Sequence, residues 1–426
     1  MQREVPQQSG TALDAAIARG HAWLWSSYIP EPRGGAGAGW PQFPGTTELT
    51  VWGGTVDGIR AQYLEHTGRP LNDRLRDALI WVRTQQVESG GFDSCEVEYP
   101  SAEATAWALV AFGELGLDGS DPTVKGALTY LLDCVAPGGG VMTTPADIQD
   151  QRTMPTALAL WAFAKYRESL RRRGEEGVIE KIVEHLKLAQ DPDSRAWGVS
   201  HGAVPNVATT AQVVFALCEA GVSPREDVVR GATAFIISRQ SDNGSWPNSY
   251  DEWFTVGSPR RPQRCLNYSA WRALLALMHS AGHDPAARRA CRQAVRHLVD
   301  MQSADGAWRF EDYESNRHVW LTAQIVVALH SWRRTWAQHD SRSPGRQLSE
   351  TLAHGFTLFR RNAVVIVLGI LVARELLPVT LRFVVRAGRV LGIDRASMSN
   401  NLLSTAVWAL LAALVAAAIT RFHHRR

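Results

Sequence analysis

The sequence predicts an all-α protein in which six helical hairpins form an inner and an outer ring, followed by a C-terminal membrane segment. Three observations support this: a recurring Gln-x₃-Gly-x-Trp motif, apolar helices alternating with amphipathic ones, and a nineteen-residue uncharged stretch at 402–420. A fixed period of some tens of residues is typical of repeat architectures. We therefore expect a repeat domain (10–336), a linker and juxtamembrane segment (337–361) and a membrane anchor (362–426).

The motif marks a repeat of roughly fifty residues. It is complete in "QSDNGSW" (240–246) and "QSADGAW" (302–308), carries Phe for Trp in "QVESGGF" (86–92) and is stretched in "QDPDSRAW" (190–197). It is degenerate in "GAGAGW" (35–40) and "APGGGV" (136–141). The second helices of the repeats begin near Thr55, Thr105, Thr156, Thr210, Ser269 and Thr322, at spacings of 50, 51, 54, 59 and 53 residues.

We interpret the motif as structural. The Gly permits a left-handed cap at the end of the first helix, the Trp covers the turn with apolar area, and the Gln binds exposed backbone groups nearby. The motif is therefore expected to fasten one helical pair to the next.

The two helices of each repeat differ in their apolar pattern. "RLRDALIWV" (74–82) places Leu75, Leu79 and Val82 on one stripe, as in an amphipathic helix. "TAWALVAF" (105–112) is apolar on all sides, which predicts a helix buried in an inner ring. The pairs Asp121-Pro122, Ser223-Pro224 and Asp284-Pro285 each predict an N-cap followed by proline at the start of an outer helix.

The charge is divided unevenly along the chain. Residues 1–332 hold 31 Lys and Arg against 38 Asp and Glu, whereas residues 333–426 hold 14 against 4. An acidic body argues against a nucleic-acid partner, and a basic tail favours anionic lipid. The five cysteines lack CxxC spacing and predict free thiols in a reducing compartment.

The tail contains two apolar segments. Residues 402–420 are long enough to span a bilayer and are followed by Arg421. Residues 363–381 start with eleven apolar residues, and they predict either the first half of a hairpin or an interfacial segment. Because no secretory signal is visible, we expect a membrane protein whose repeat domain is cytoplasmic.

The Gln-x₃-Gly-x-Trp turns followed by Thr-Ala helices resemble the prenyltransferase and squalene-oxidase repeat family. This family includes squalene-hopene cyclases, class II diterpene cyclases and the β subunits of protein prenyltransferases. The resemblance covers about residues 10–332 and implies an (α/α)₆ toroid. Because relatives with this toroid include non-enzymatic binding domains, the fold alone does not give the function.

The resemblance implies one catalytic candidate. Class II cyclases carry DxDD immediately before Thr-Ala, and its middle Asp is the proton donor. Here that stretch is Ser101-Ala102-Glu103-Ala104, so Glu103 takes the middle position without its flanking carboxylates. If the protein protonates a substrate, Glu103 is the expected acid, kept protonated by burial. The alternative is a carboxylate that only interacts with its own helix dipole.

No metal or other cofactor is predicted. In protein prenyltransferases zinc is bound through Asp-x-Cys and a later His, but Asn267 and Leu321 stand where the Cys and the His would be. The remaining polar side chains lack the spacing of a ligand set, so Mg²⁺ and Zn²⁺ are unsupported. These side chains are Asp93, Cys95, His201, Cys265 and His318.

Two groups of residues are candidates for ligand binding at the mouth of the ring. Acidic residues recur on the loops that lead into the inner helices, where they would capture a cationic group or a Mg²⁺-bridged diphosphate, or simply be solvated. Aromatic residues on the inner helices suit an isoprenoid or a carbocation. The candidate binding residues are Glu96, Glu98, Trp107, Trp161, Phe215, Asp251, Trp271 and Trp320; further rim acids are Asp147, Asp150, Glu252, Glu311, Asp312 and Glu314.

Two classes of function follow. The first is a membrane-anchored toroid that binds an isoprenoid-type lipid and, if it is an enzyme, acts as a terpene cyclase, isomerase or prenyl transferase without the usual DxDD and zinc ligands. The second is a non-catalytic scaffold or receptor that binds a peptide or protein partner at the acidic rim.

Overall fold

The computed structural model describes residues 9–337, except 31–36, 47, 67–68, 95–96, 146–150, 255–261 and 310–317. All described elements lie in one unit, Met1–Gln338. Its helices are α1 (Ser9–Ser26), α2 (Val56–Tyr63), α3 (Asp73–Thr84), α4 (Ala102–Glu114), α5 (Pro122–Asp133), α6 (Thr153–Lys165), α7 (Arg167–Arg172), α8 (Gly177–Leu188), α9 (Val207–Glu219), α10 (Asp227–Ser238), α11 (Ser269–Ala281), α12 (Pro285–Asp300) and α13 (Val319–Trp332). Three single turns complete them: Val51–Thr55, in which Trp52 and Gly53 have non-helical backbone angles, the 3₁₀ turn Leu64–His66 and the π-helical turn Arg333–Ala337.

Six helices form a closed inner ring. Neighbouring helices pack in the order α2, α4, α6, α9, α11 and α13, and α13 packs back on α2. In α6 every residue from Thr153 to Phe163 is buried, because the helix is covered on all sides. The inner ring predicted from the all-round apolar segments is confirmed for the described residues.

The remaining long helices form the outer ring. Helices α3, α5, α8, α10 and α12 pack on α2, α4, α6, α9 and α11, and α1 packs on α13. The predicted caps are confirmed at Asp121 and Asp284, whose side chains accept from the amides of the first helical turn. The cap predicted at Ser223 is wrong: α10 begins at Asp227, and the Ser223 hydroxyl accepts from the Arg225 amide in the preceding turn.

The motif glutamines join successive repeats. The Gln302 amide nitrogen donates to the Gly306 carbonyl of its own turn and to the Ala16 carbonyl of α1, each at 2.9 Å. Gln240 makes the same pair of bonds, to Gly244 at 3.1 Å and to Ala290 of α12 at 2.9 Å. Gln86 and Gln190 repeat the pattern. The glutamine was predicted to fasten one helical pair to the next. Its side-chain amide does so by donating to one carbonyl of its own turn and to one carbonyl of the next repeat's outer helix.

The motif tryptophans close the turns. The indole nitrogens of Trp40, Trp197, Trp246 and Trp308 each donate to a carbonyl near the end of the preceding outer helix, at 2.6 to 2.8 Å. The motif glycine does not form the left-handed helix cap that was predicted for it. Gly306 has a φ of +98°, but it lies six residues beyond α12, so it forms the turn rather than the helix cap.

Two short hairpins interrupt the all-α pattern. Strands β1 (Phe92–Ser94) and β2 (Val97–Ser101) pair antiparallel before α4, and β3 (Ser249–Phe254) and β4 (Pro262–Asn267) pair antiparallel before α11. These segments were predicted to be polar loops, but they form strands. Aromatic residues in "SYDEWF" favour the extended conformation that the segment adopts.

The predicted membrane spans, 363–381 and 402–420, lie outside the described residues. Within 9–337, apart from the gaps given above, no helix combines the length and the apolar character needed to cross a bilayer.

Candidate functional site

The centre of the toroid holds a cavity of about 320 Å³ at the C-terminal ends of the inner helices. This volume falls near the lower end of the range for small-molecule sites, roughly 300–1,000 Å³. The cavity has an apolar wall and a polar rim. The wall contains Trp161, Phe215, Leu275, Met278 and Val327, and the polar residues are Arg60, Glu114, Lys165, Glu219, His279, Ser331 and Thr335.

An aromatic ladder forms one side of the centre. The Trp107 and Trp161 rings lie 5.6 Å apart at 79°, and the Trp161 and Phe215 rings lie 4.8 Å apart at 89°. Phe215 then contacts the His279 ring at 5.4 Å. Edge-to-face contacts of this kind add to the free energy of burial and fix the rings. The ladder joins α4, α6, α9 and α11 around the cavity.

Arg60 lines the cavity and is almost completely buried. Its guanidinium donates two hydrogen bonds to the Glu114 carboxylate, at 2.9 and 3.1 Å, and a third to the side-chain amide oxygen Oε1 of Gln324 at 3.3 Å. The same group lies 4.9 Å from the Trp107 ring centre and 5.0 Å from that of Trp161. Two aromatic faces and a bidentate carboxylate therefore surround one fixed cation.

Asp57 extends this polar network on the other side of Gln324. Its two carboxylate oxygens accept from the Gln324 amide and, at 3.0 Å, from the Gly53 backbone N–H. Burial raises the pKa of Asp57 to about 6, although Arg60, the Gly53 and Gln324 hydrogen bonds, and Arg272 oppose the rise. A carboxylate at the centre of the ring thus raises the free energy of the folded state when it is charged.

We expect Asp57→Asn to change how stability depends on pH. The pKa of Asp57 is about 6 in the folded chain, higher than its ordinary 3.8. The stability that comes from the protonated Asp57 carboxyl is therefore fully present below pH 3.8 and is lost as the pH rises to 6. Two pKa units correspond to about 3 kcal/mol. Urea unfolding from pH 3.5 to 7 should show that this loss is absent in Asp57→Asn.

The difference between the two proteins is the quantity to measure. Burial lowers the pKa of His318 and of His330 to about 4, so protonation of these rings destabilises the fold as the pH falls from 6.5. Both histidines are present in wild type and variant, and their effect cancels in the difference. Parallel curves for the two proteins would show that Asp57 does not titrate in this window.

The rim of the cavity carries paired charges. Lys165 and His279 lie 3.8 and 3.7 Å from the two oxygens of Glu219. Burial lowers the pKa of His279, and the Glu219 carboxylate opposes the change. The rim thus has one carboxylate between a lysine ammonium and a histidine ring.

Glu103 lies at the opposite end of the ring, in the first turn of α4. Its carboxylate accepts a hydrogen bond from Arg152 at 3.2 Å, and both side chains are largely buried. Arg152 also donates to the Thr143 hydroxyl at 2.9 Å. Glu103 is therefore paired with a buried guanidinium and does not interact with its own helix dipole alone.

The structure brings only some of the predicted binding residues together. Trp107, Trp161, Phe215 and Trp271 lie on inner helices and are at least partly buried, whereas Trp320 contacts the His318 ring, 5.6 Å away, at the start of α13. Glu98 lies on β2 and Asp251 on β3. Glu96, Asp147, Asp150, Glu311, Asp312 and Glu314 lie outside the described residues, so the acidic rim stays a prediction.

No metal site is assigned. Within the described part of the chain, no three His, Cys, Asp or Glu side chains converge in a way that would hold an ion. Cys95, one of the scattered zinc candidates, lies outside that part.

Sequence comparison gives the following relatives. Residues 148–335 match the squalene-hopene cyclase C-terminal domain family. A lanosterol synthase of Aspergillus fumigatus is 25% identical over 285 residues, which are 65% of this chain and 33% of that protein. A drimenyl diphosphate synthase of Streptomyces showdoensis is 26% identical over 193 residues, which are 44% of this chain and 32% of that protein. The chain spans about a third of the length of these relatives.

Solved structures share the fold. The type II terpene cyclase MstE from Scytonema gives a TM-score of 0.53 at 15% identity and covers 76% of this chain and 99% of its own. A family 76 glycoside hydrolase from a bovine Bacteroides thetaiotaomicron strain gives 0.53 at 12% identity, with coverage of 75% and 77%. Such likeness shows the toroid and not its chemistry. The resemblance inferred from the repeats is confirmed: residues 148–335 are similar to the squalene-hopene cyclase C-terminal domain family, and the sequence relatives are terpene cyclases.

Proposed function

We propose that the toroid binds an isoprenoid-type chain in its central cavity. The observation that carries this proposal is the aromatic and aliphatic wall around about 320 Å³ of space. Burial of an apolar chain against such a wall contributes roughly 25 cal/mol per Å² removed from water. Support comes from the terpene-cyclase relatives, and from an MstE variant (16% identical, TM-score 0.53) whose structure contains geranylgeranyl dihydroxybenzoate as substrate.

Binding is the part of the predicted function that the geometry favours. The Arg60 guanidinium already occupies the faces of Trp107 and Trp161, so these two rings are less available to a carbocation. Glu103, the predicted proton donor, lies beside Arg152. The rival proposal, a peptide or protein bound at the acidic rim, depends on loops outside the described residues, and no observation favours it.

Filling the cavity tests the proposal. Leu275→Trp adds a large ring to the apolar wall and should displace the ligand, whereas Leu188→Trp adds the same ring at a position where the side chain is 79% exposed. Both full-length variants are purified, and their bound lipids are extracted and identified by mass spectrometry. We expect an isoprenoid-type lipid in the wild type and in Leu188→Trp, and about a tenfold loss in Leu275→Trp, because overpacking removes the space. Absence of such a lipid from the wild type, together with no binding of added farnesol, would contradict the proposal.

Glu103→Gln tests the predicted acid catalyst separately. The substitution keeps the shape and the hydrogen bond to Arg152 but removes the charge, so the unfolding free energy should fall by about 1–3 kcal/mol. If Glu103 is the proton donor, conversion of the bound lipid should be lost while its binding is retained. Unchanged conversion in a folded Glu103→Gln protein would exclude this assignment.

We infer in addition that residues 362–426 attach the protein to a membrane and that the toroid lies on the cytoplasmic side. The support is the apolar stretch 402–420 followed by basic residues. Carbonate extraction of membranes should leave the full chain in the pellet and release a chain ending at residue 337. Release of both chains would exclude an integral anchor.

A further inference from the structure

Three side chains with buried N–H groups line a narrow cleft beside the cavity. The indole nitrogens of Trp161 and Trp271 and the amide nitrogen of Gln212 have no hydrogen-bond partner in the described structure. All three side chains line the cleft and are 2–3% exposed. We propose that this cleft receives a hydrogen-bond-acceptor oxygen on the end of the bound isoprenoid, so that the ligand enters with its oxygenated end first. The inference rests on the proposed function and specifies its substrate class.

The turn tryptophans of the same chain provide an internal comparison. Trp40, Trp197, Trp246 and Trp308 are equally buried, and each donates its indole N–H to a backbone carbonyl. Buried indole N–H groups normally have such a partner, because an unpaired donor costs about 1–3 kcal/mol. Trp161 and Trp271 lack such a partner, and both line the cleft. The missing acceptor thus distinguishes these two cleft tryptophans from the four turn tryptophans.

The chemistry of the missing group follows from the donors. An indole N–H only donates, so two of the three groups demand an acceptor. Arg272 adds a positive charge next to them, with its guanidinium 4.3 Å from the Trp271 ring centre, and donates to the Tyr268 carbonyl at 3.1 Å. A hydroxyl, carbonyl, carboxylate or phosphate oxygen satisfies this set, whereas a hydrocarbon end does not.

The cleft and the cavity are adjacent. Trp161, Phe215 and Leu275 line both spaces. The cleft has no room for a water molecule with the side chains as they stand, so solvent does not supply the acceptor there. A ligand oxygen entering from the cavity must displace a side chain, and Phe215 is suited to move because it is only partly buried. The cavity then holds the apolar chain and the cleft holds its oxygenated end.

The experiment compares ligands that share a chain and differ at one end. Farnesene, farnesol and farnesyl diphosphate are titrated into the full-length protein in matched detergent, and dissociation constants are measured by calorimetry. We expect the two oxygenated ligands to bind about tenfold or more tightly than farnesene. If farnesyl diphosphate binds more tightly than farnesol, the positive charge of Arg272 contributes to the affinity. If the two bind equally, one oxygen that accepts hydrogen bonds in the cleft accounts for the preference.

Two variants locate the preference in the cleft. Gln212→Leu and Trp271→Phe each remove one N–H group, and we expect the preference for the oxygenated ligands to fall about fivefold while farnesene binding stays similar. Leu188→Met changes an exposed side chain away from the cleft and should keep the preference. If Trp271→Phe does not fold, Gln212→Leu alone decides.

The outcomes separate the two proposals. If the wild type binds all three ligands equally, or if Gln212→Leu retains the full preference, the cleft does not receive the oxygen, although the proposed function stands. If the wild type binds none of the three ligands, the proposed function fails and the inference fails with it.

Discussion

Gly306→Ala is expected to lower the unfolding free energy by about 2–5 kcal/mol. Gly306 has a φ of +98°, where a residue with a side chain loses about 1–2 kcal/mol. An added Cβ would also lie 2.5 Å from the Arg19 carbonyl oxygen of α1, and overpacking of this kind costs about 1–3 kcal/mol. Because α1 and the Gln302 turn join the first repeat to the last, the damage falls on the closure of the ring.

Gly221→Ala is the matched control. Gly221 has a φ of +94°, but no atom lies within 4 Å of the position of its added Cβ. It should therefore show the backbone penalty alone, about 1–2 kcal/mol. Urea unfolding of the full-length proteins provides the comparison. Equal losses for the two variants would mean that the contact with α1 does not hold the ring closed.

One repeat shows how the contact is relieved when the glycine is absent. In the turn "QDPDSRAW" the left-handed residue is Arg195, with a φ of 59°. The facing position on α10 is Gly231, where an added Cβ would lie 2.9 Å from the Arg195 Cβ. The space is thus provided by the neighbouring helix instead of by the turn. Arg19 offers no such space to Gly306, which is why Gly306→Ala should be costly.

Much of the fold follows from the sequence because its signals are local. The repeat spacing and the apolar patterns of "TAWALVAF" and "RLRDALIWV" depend on residues within two or three turns of helix, and they place the rings correctly. Ser223-Pro224 has the local signal of a cap, yet α10 begins three residues after Pro224. There the Glu226 carboxylate accepts from the Ser223 amide at 3.2 Å and stabilises a separate turn.

The centre of the site was harder to foresee because it depends on distant pairs. Trp107, Trp161 and Trp271 are predictable from their place on inner helices. Asp57 and Gln324 are 267 positions apart, and their contact exists only because the ring closes. The sequence contains one signal of this polar centre: Gln324 is a polar residue within the otherwise apolar helix segment "TAQIVV" (322–327), and a buried polar side chain needs a hydrogen-bond partner.

Arg60→Met is expected to lower the unfolding free energy by about 3–5 kcal/mol. The substitution removes both hydrogen bonds to Glu114 and leaves the carboxylates of Glu114 and Asp57 without their nearby cation. Breaking one side of a buried pair is costly because the remaining charge stays in a poorly solvated place. Without Arg60, charged Asp57 is also less favourable, so the loss should be larger at pH 7 than at pH 5.

The double variant Arg60→Met/Glu114→Gln separates the ion pair from the aromatic packing. If the loss in Arg60→Met comes from the stranded Glu114 carboxylate, removing that charge as well should return about 1–3 kcal/mol relative to the sum of the single variants. Arg60→Lys, which keeps the charge but lacks the planar fork, should fall between wild type and Arg60→Met. Additive single and double variants in urea unfolding would show that Arg60 does not stabilise the fold through Glu114. In that case its remaining contacts, with the Trp107 and Trp161 rings, with Gln324 and with the Asp57 charge, would account for the loss.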